Sequence, residues 1–477
     1  MTGDKVVGKV NREKQLAKNT VILSIGTLSS KIFTFLLLPL YTTALSTEDY
    51  GNVDVLQTVI NLLVPVITLQ LSGAVFRFLI GEKEENGKEE VISTSFAVVL
   101  INVLIFCIAA IVVSQFYSIQ YFKLFLFSFA ASALYLMAQS VARGFGHNVT
   151  YSICSFLLVI VSLVINIVLI VGCGFKGESI LIALGVSNLV AALFILFKER
   201  IWNFISLSRI KISRLKSLLS YSLPLIPNAI SWWIANTSDR LLILFFLGSS
   251  SNGIYAAANK IPTIYTTIYN VFNLAWTESV ARCIDDDDKE KFINGMLEKS
   301  YRFFGCLCLG IICCMSIFFN WLIGKEYASS YNHIYILMVA IFINSLCAMY
   351  GGIFTGYKQS KIIGMTTMLG AAFNFVINLV AIQYIGLYAA SISTLVSYVV
   401  IMIVRAYHAN KLVKLSFPKI YFIRMLLVGI LVSYGYFKKN TPLNIGILAI
   451  VSIWSFIENR NVIMGFVTAI VKKVRKE

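Results

Sequence analysis

Apolar residues fill the chain in long runs, many of them 18 residues or longer. A run of this length spans the hydrocarbon core of a bilayer when it forms a helix. Short polar or basic segments separate the runs, and the pattern predicts fourteen membrane-spanning helices. Their predicted bounds are 19–43, 52–79, 91–114, 119–142, 150–173, 179–198, 217–247, 253–277, 300–323, 330–355, 361–384, 386–404, 420–437 and 441–457. The last is short, and it either ends near 457 or merges with the apolar stretch 461–471.

The composition agrees with a polytopic membrane protein. Hydrophobic residues make up 58% of the 477 residues and charged residues only 13%, whereas soluble domains carry roughly 25% charged residues. The nine cysteines and three histidines show no metal-ligand spacing, so we predict no metal site. The sequence therefore predicts an all-α integral membrane protein.

Basic residues indicate the orientation of the predicted helices. With the N-terminus in the cytosol, 31 of the 40 Lys and Arg fall in the tails and even-numbered loops, and five fall in the odd-numbered loops. This asymmetry is a positive-inside signal. It predicts that both termini are cytosolic, and it explains the net charge of +17 without binding to nucleic acid.

An internal repeat divides the chain. RGFGHNVTYS at 143–152 matches TGYKQSKIIG at 355–364, and in both copies a VIN triplet follows the glycine, placing Asn166 and Asn378 22 residues beyond it. A weaker echo links ALSTEDYGNVDVL at 44–56 with FLGSSSNGIYAAA at 246–258. Spans 1–6 and 7–12 thus read as two six-helix bundles of one orientation, with spans 13 and 14 as an added pair.

The repeat predicts five regions. They are a cytosolic basic tail (1–18), an N-terminal six-helix bundle (19–200), a basic linker (201–216), a C-terminal six-helix bundle (217–409) and an extra helix pair with a basic tail (410–477).

Polar side chains recur at helical spacing on spans 1, 2, 7 and 8, which correspond in pairs under the repeat. Lipid cannot satisfy such groups, so these faces must contact protein or water. Hydrogen bonding between helices accounts for any single serine or threonine. Two matching pairs of stripes with charges favour an aqueous cavity between the halves.

Cations outnumber acids at membrane depth. From a rise of ~1.5 Å per residue, Arg240 lies roughly 12 Å from the outer end of span 7 and Lys260 roughly 10 Å from the outer start of span 8. Lys31 lies near the middle of span 1, and Asp239 can partly neutralise Arg240 or Lys260. Such a cavity suits an anion, although a purely structural ion pair is the alternative.

Two further arginines, Arg77 and Arg143, close the inner ends of spans 2 and 4. Snorkelling to the membrane interface explains them as well as function does. The candidate binding residues are Lys31, Arg77, Arg143, Asp239, Arg240 and Lys260, and the candidate lining residues are Asp54, Asn61, Trp232, Asn236, Tyr255, Asn259 and Asn270.

Three stretches resemble a known family. They are SSKIFTFLLLPLYTTALSTEDYGNVDVL at 29–56, Arg77, and the block at 221–282 that contains SWWIANTSDRLLILFFLG and FNLAWTESVAR. The chain resembles bacterial lipid-linked oligosaccharide flippases of the O-antigen and polysaccharide exporter type. Multidrug and toxin extruders and lipid II flippases belong to the same superfamily.

This resemblance implies an alternating-access transporter of the bacterial cytoplasmic (inner) membrane. Its two bundles would form a V-shaped cavity for undecaprenyl-diphosphate-linked repeat units of O-antigen, lipopolysaccharide or capsule. Arg77, Arg143 and Lys31 would capture the head group, and Arg240 and Lys260 would hold it in a field set by Asp239. The aromatic residues Tyr255, Trp232 and Trp233 are candidates to stack on sugars.

The resemblance also sets expectations for partners. We expect membrane lipids and the lipid-linked oligosaccharide as ligands, with a polysaccharide polymerase and a chain-length regulator as candidate protein partners. No cofactor is expected, and coupling to H+ or Na+ is compatible with the class.

Rival classes make different demands on the sequence. A cation-coupled multidrug extruder relies on buried carboxylates, and here the acids at membrane depth are few: Asp54, Asp239 and Glu278. A membrane glycosyltransferase or polymerase needs a large outer loop, but the longest here have only about ten residues. No nucleophile constellation or phosphate loop is visible, so we predict a transporter and not an enzyme. A lipid II flippase stays open as an alternative.

Overall fold

The computed structural model describes residues 35–474. The side chains of Trp232 and Asn236, the N-terminal tail and Lys31 lie outside this description. Within the described range, fifteen α-helices follow one another, numbered α1 to α15. Their bounds are Leu38–Ala44, Thr47–Ile67, Leu71–Gly81, Glu85–Ser114, Phe122–Gly144, Asn148–Ile167, Gly177–Lys198, Ile212–Ser222, Leu225–Cys283, Lys289–Leu322, Ser330–Gly356, Ser360–Ile385, Tyr388–Leu412, Lys419–Lys438 and Thr441–Val474.

Twelve helices of the described part are long and apolar enough to cross a membrane. This confirms the predicted all-α, multi-pass class. One of these helices, α9, covers both predicted spans 7 and 8, and it is interrupted at Gly248, where φ is 81° and ψ is 175°. A residue without a Cβ adopts this left-handed backbone without strain. Predicted span 1 falls mostly outside the described residues.

Predicted span 2 is divided in the structure into α2 and α3. Leu69 and Gln70 adopt positive φ angles of 53° and 54° between the two helices. Pro65 near the end of α2 lacks the N–H that would continue the hydrogen-bond ladder. Its carbonyl instead accepts a bond of 2.8 Å from the Gln70 N–H. The break gives α3, and with it Arg77, a direction of its own.

Proline also interrupts predicted span 7. Helix α8 ends at Ser222 and α9 begins at Leu225, with Pro224 between them. Proline is disfavoured within a helix but is tolerated close to its start. At the other end of the chain, α15 runs without a break from Thr441 to Val474. The last predicted span thus merges with the apolar stretch that follows it.

The described chain forms two compact units. The first contains the residues up to Leu244 together with Gly248–Gly253, and the second contains Phe245–Leu247 and the residues from Ile254 onward. In the first unit, α7 packs along both α5 and α6. In the second unit, α13 packs in the same way along both α11 and α12. This correspondence follows the internal repeat.

The paired glycines of the repeat have the same packing role in each unit. A Cβ atom added to Gly144 would lie 2.7 Å from the Cβ of Leu79, just after Arg77. A Cβ atom added to Gly356 would lie 2.9 Å from Cδ1 of Ile284, just beyond the end of α9. Gly144 therefore has no space for a side chain beside the Cβ of Leu79, and Gly356 packs closely against the side-chain ends of Ile284 and Val280, so each copy has a tight contact at the shared glycine.

The predicted linker 201–216 packs within the first unit. Arg209 lies 2.9 Å from Glu89, and Arg214 lies 3.2 Å from Glu90, which also pairs with Lys211. These acids lie near the start of α4. Single exposed pairs of this kind contribute little, but a network orders the segment that carries it.

The two C-terminal helices are anchored to α10 by a buried acid. Glu458 on α15 has a side chain that is only 3% exposed, and it lies 2.8 Å from Arg302 of α10 and 3.1 Å from Arg424 of α14. Tyr421 of α14 adds a hydrogen bond of 3.0 Å to the Tyr301 carbonyl. A buried carboxylate between two guanidinium groups is compensated, so the helix pair is attached to the second unit.

The repeat glycines provide a test of the fold. We expect Gly144→Val and Gly356→Val each to lower stability by about 1–3 kcal/mol, because the added side chain overpacks a tight helix contact. The measurement is the fraction of monodisperse protein left after heating in detergent. Gly364→Ala is the control, since nothing lies within 4 Å of its added Cβ. Equal thermal stability of all variants would contradict this packing.

Candidate functional site

An ion pair joins two membrane-depth helices of the first unit. Nε of Arg240 on α9 lies 2.8 Å from Oδ2 of Asp54 on α2. The contact is an ion pair and not an aligned hydrogen bond, since the N–H bond is not directed at the oxygen. The Asp54 side chain is 8% exposed and that of Arg240 is 25% exposed. The carboxylate is therefore enclosed, while part of the guanidinium stays accessible.

Helix α2 and the segment 248–253 make an unusually close contact. A Cβ atom added to Gly51 would lie 1.8 Å from the Ser249 carbonyl oxygen, and one added to Gly253 would lie 1.9 Å from the Thr47 carbonyl oxygen. Real side chains do not occur at such distances, so both positions require glycine. Gly51 and Gly253 occupy matching places in the weaker of the two sequence echoes. We call this contact the glycine crossing.

Asn252 links the ion pair to the glycine crossing. Its buried side chain donates from Nδ2 to the Gly51 carbonyl at 3.0 Å and lies 3.5 Å from Oδ2 of Asp54. Asp54 follows Gly51 by three residues, so both lie on one face of α2. The charge on Asp54 and the approach of the two backbones are thus parts of one arrangement.

Further contacts hold the same faces together. The hydroxyl groups of Thr47 and Ser250 lie 2.5 Å apart near the start of α2. Deeper along the helix, Nε1 of Trp233 donates to the Thr58 carbonyl at 2.9 Å. Trp233, a candidate for stacking on sugar rings, thus has its indole N–H engaged by a neighbouring helix.

Two of the predicted arginines lie on neighbouring helices at the predicted cytosolic end of the first unit. Arg77 lies in the second half of α3, Arg143 lies in the last turn of α5, and both side chains are exposed. The guanidinium of Arg143 lies over the ring of Phe76 at 4.5 Å and over that of Tyr151 at 5.3 Å. Neither arginine has an ion pair among the residues that the structure describes. Both rings lie within cation–π distance of the Arg143 guanidinium and so help to position it.

The other predicted residues occupy varied environments. Asp239 is half-buried in the first unit, and Lys260 is half-buried in the second. Tyr255 is buried, whereas Asn61 and Asn270 are exposed. The structure thus brings together Asp54 with Arg240 and, at the other end, places Arg77 and Arg143 on neighbouring helices.

Polar side chains recur along the part of α9 that follows Gly248, and most of them form hydrogen bonds within that helix. Asn259 donates to the Tyr255 carbonyl, Thr263 to the Asn259 carbonyl and Thr266 to the Pro262 carbonyl, at 2.8–2.9 Å. Such back-bonding is common for threonine in helices. Of these side chains, Asn270 remains exposed to solvent.

Sequence reasoning missed a buried cation. The predicted span 386–404 places Arg405 just outside the membrane, in a cytosolic loop, but α13 continues to Leu412 and Arg405 is buried at 6% exposure. Its guanidinium donates to the Cys347 carbonyl at 2.9 Å and to Oγ1 of Thr366 and Thr367 at 2.9 and 3.0 Å. The pattern shows no acid at helical spacing near it, and these neutral acceptors could not be found from sequence alone.

Known proteins can be compared with this architecture. The lipid II flippase MurJ in an inward closed conformation matches with a TM-score of 0.71 at 15% identity, over 93% of this chain and all of that one. An inward-facing multidrug resistance MATE family transporter of the MOP superfamily matches with a TM-score of 0.65 at 15% identity, over 82% of this chain and 98% of that one. At such identities the likeness shows the fold, which is that of these transporters.

Sequence comparison then gives the family. A protein of the Lsg locus of Haemophilus influenzae is 23% identical over 383 residues, which cover 77% of this chain and 91% of that protein. The profile of the family described as "Polysaccharide biosynthesis protein" matches residues 16–277. The chain therefore belongs to the polysaccharide biosynthesis protein family.

The glycine crossing gives a direct test of the site geometry. A cysteine pair at Thr47 and Ser250 should form a disulfide readily, because the two hydroxyl groups are in contact. We expect Gly51→Ala in this background to lower the disulfide yield strongly, since its Cβ has no space. Gel mobility with and without reductant measures the yield. Gly310→Ala is the control, as nothing lies near its added Cβ, and an unchanged yield with Gly51→Ala would refute the crossing.

Proposed function

We propose that this protein is a flippase that moves undecaprenyl-diphosphate-linked oligosaccharide repeat units across the cytoplasmic membrane by alternating access. The product would serve surface polysaccharides such as O-antigen or capsule. Membership of the polysaccharide biosynthesis family and the transporter fold support this proposal. Transport of this kind makes and breaks no covalent bond.

The exposed pair of arginines at the predicted cytosolic end is the observation that carries the proposal. Arg77 and Arg143 present donors that no acid occupies among the described residues. A diphosphate has several oxygen atoms that accept hydrogen bonds, and a guanidinium group binds two of them at once. The nearby rings of Phe76 and Tyr151 give the first sugar an aromatic surface. We assign these arginines to capture of the head group, together with Lys31 as the sequence predicts.

Arg240 is the proposed second binding residue for the diphosphate during transport. It lies at the predicted membrane depth with part of its side chain accessible, and its partner is the Asp54 carboxylate, which the diphosphate would replace. Lys260 and Asp239 keep their proposed roles in holding the head group and shaping its field. Release to the outer side requires that the glycine crossing open, because it joins α2 to the segment 248–253 at the predicted outer side.

The lipid II flippase alternative is supported by the likeness to MurJ. Both activities move a glycan on a diphosphate-linked lipid, so the same arginines serve either cargo. Coupling to H+ or Na+ is part of the proposal, and collapse of each gradient with a selective ionophore identifies the ion.

Deletion of the protein with complementation by variants tests the capture step. In the deletion strain we expect lipid-linked repeat units to accumulate while mature surface polysaccharide is lost. The double variant Arg77→Gln with Arg143→Gln should fail to restore export, because two charge-assisted contacts of about 1.5–3 kcal/mol each are removed. Lipid-linked intermediates and surface polysaccharide are measured by mass spectrometry and gel electrophoresis.

The control for this test is Lys198→Gln, which removes an exposed cation at the end of α7. It should leave export unchanged. Normal export by the double arginine variant at equal protein abundance would contradict the proposed role of Arg77 and Arg143 in capture. Accumulation of lipid II in the deletion strain, with the other lipid-linked glycans at normal levels, would assign the alternative cargo.

A reversible lock tests the alternating-access step. We expect the cysteine pair at Thr47 and Ser250 to stop glycan export when oxidised, because a covalent bond keeps the crossing closed. Export should return on addition of a reductant that reaches the outer face. Surface polysaccharide synthesis after a pulse of labelled sugar measures the rate.

The matched controls are the single variants Thr47→Cys and Ser250→Cys, each of which carries one thiol of the pair and cannot form the disulfide across the crossing. Oxidation of either single variant should have little effect on export. If the oxidised Thr47–Ser250 pair transports at the normal rate, the crossing is not a gate.

A further inference from the structure

The ion pair between Asp54 and Arg240 raises the question of how the site excludes anions other than a diphosphate. An accessible guanidinium at membrane depth would attract any anionic head group, and singly charged phospholipids are abundant in bacterial membranes. Arginine readily binds the single phosphate of such a lipid. A site built only of cations would therefore fill with membrane lipid.

The structure shows an acid against the arginine that such a lipid phosphate would have to reach. Oδ2 of Asp54 lies 2.8 Å from Nε of Arg240, and the carboxylate is 8% exposed while the arginine side chain is 25% exposed. Nδ2 of Asn252 lies 3.5 Å from the same oxygen. The acid is thus held close to the arginine by the fold, and solvent reaches the arginine more easily than the acid.

We propose that Asp54 acts as an internal anion that occupies Arg240 and sets the binding strength that any incoming head group must exceed. A diphosphate exceeds it, whereas a head group with one negative charge does not. This inference rests on the proposed function and deepens it, because it names the acid that excludes membrane phospholipid from the same site.

The argument follows from competition within one molecule. Asp54 is attached to the same chain, so its effective concentration at Arg240 is far above that of a free carboxylate. A phosphatidylglycerol head group brings one negative charge, the same as the carboxylate that it must replace. A diphosphate diester brings two charges and more acceptor oxygens, so it gains a net interaction on exchange.

Removal of the internal anion should weaken this exclusion for every anion. Competition lowers the apparent affinity of all ligands by one common factor, so Asp54→Asn strengthens binding of both lipids. The diphosphate already binds in the natural protein. Binding of phosphatidylglycerol should be negligible in the natural protein and measurable in the variant.

The test uses purified full-length protein in phosphatidylcholine nanodiscs. Binding of undecaprenyl diphosphate and of fluorescent phosphatidylglycerol is titrated for the natural protein, Asp54→Asn and Asp54→Ala. We expect phosphatidylglycerol to bind the two variants roughly 10- to 100-fold more tightly, as for loss of one charge-assisted competitor. Adding Arg240→Gln to Asp54→Asn should abolish this gain.

Asp49→Asn is the matched control. It removes the same charge from the same helix, but Asp49 accepts a hydrogen bond from Tyr121 and has no arginine partner among the described residues. We expect it to bind both lipids as the natural protein does. A merely structural role of Asp54 would change stability without creating binding of phosphatidylglycerol.

The outcomes separate this inference from the proposed function. If the natural protein binds undecaprenyl diphosphate but neither Asp54 variant gains affinity for phosphatidylglycerol, the internal-anion role is refuted and the flippase proposal stands. If the natural protein does not bind undecaprenyl diphosphate, the proposed cargo and the inference both fall. Gain of phosphatidylglycerol binding in Asp49→Asn as well would also overturn the role of Asp54, because it would show a general charge effect.

Discussion

The low dielectric of the membrane interior is the constraint on which this structure depends, and the ion pair between Asp54 and Arg240 is its main expression in the first unit. A charge at membrane depth is costly unless a partner or water compensates it. In this pair the carboxylate is enclosed, whereas part of the arginine side chain stays accessible. A fully enclosed pair would be inert, whereas a half-open one leaves a cation available to a ligand.

The second unit satisfies the same constraint in two other ways. Arg405 is enclosed by carbonyl and hydroxyl acceptors of α11 and α12, and Glu458 is enclosed by Arg302 and Arg424. Both arrangements join three helices, so their charges hold helices together. Among these buried or half-buried arginines, only Arg240 lies at membrane depth, has one acidic partner on another helix and keeps part of its side chain accessible. This difference separates a candidate binding group from structural ones.

The sequence carries enough information for the helices, the repeat and the class of protein, because each depends on local or periodic patterns. Long apolar runs predict spans, and glycines such as Gly144 and Gly356 recur because each copy needs one tight contact. Pairings across the chain are different. The sequence predicts that Asp239, the neighbour of Arg240, partly neutralises Arg240 or Lys260, but it gives no sign that the carboxylate of Asp54 lies 2.8 Å from Arg240. No periodicity links residues so far apart in sequence, so their contact becomes visible only in the fold.

The pairing of acids also bears on the choice between cargo classes. An exporter of organic cations needs a carboxylate that is free to bind a positive charge. Asp54 is committed to Arg240, and Glu278 lies 2.6 Å from Arg282 one helical turn away. In contrast, Arg77 and Arg143 are exposed at the predicted cytosolic end and have no ion pair among the residues that the structure describes. The pairing of Asp54 and Glu278 with arginines supports the proposal of an anionic head group, and the net charge of the chain does not reveal this pairing.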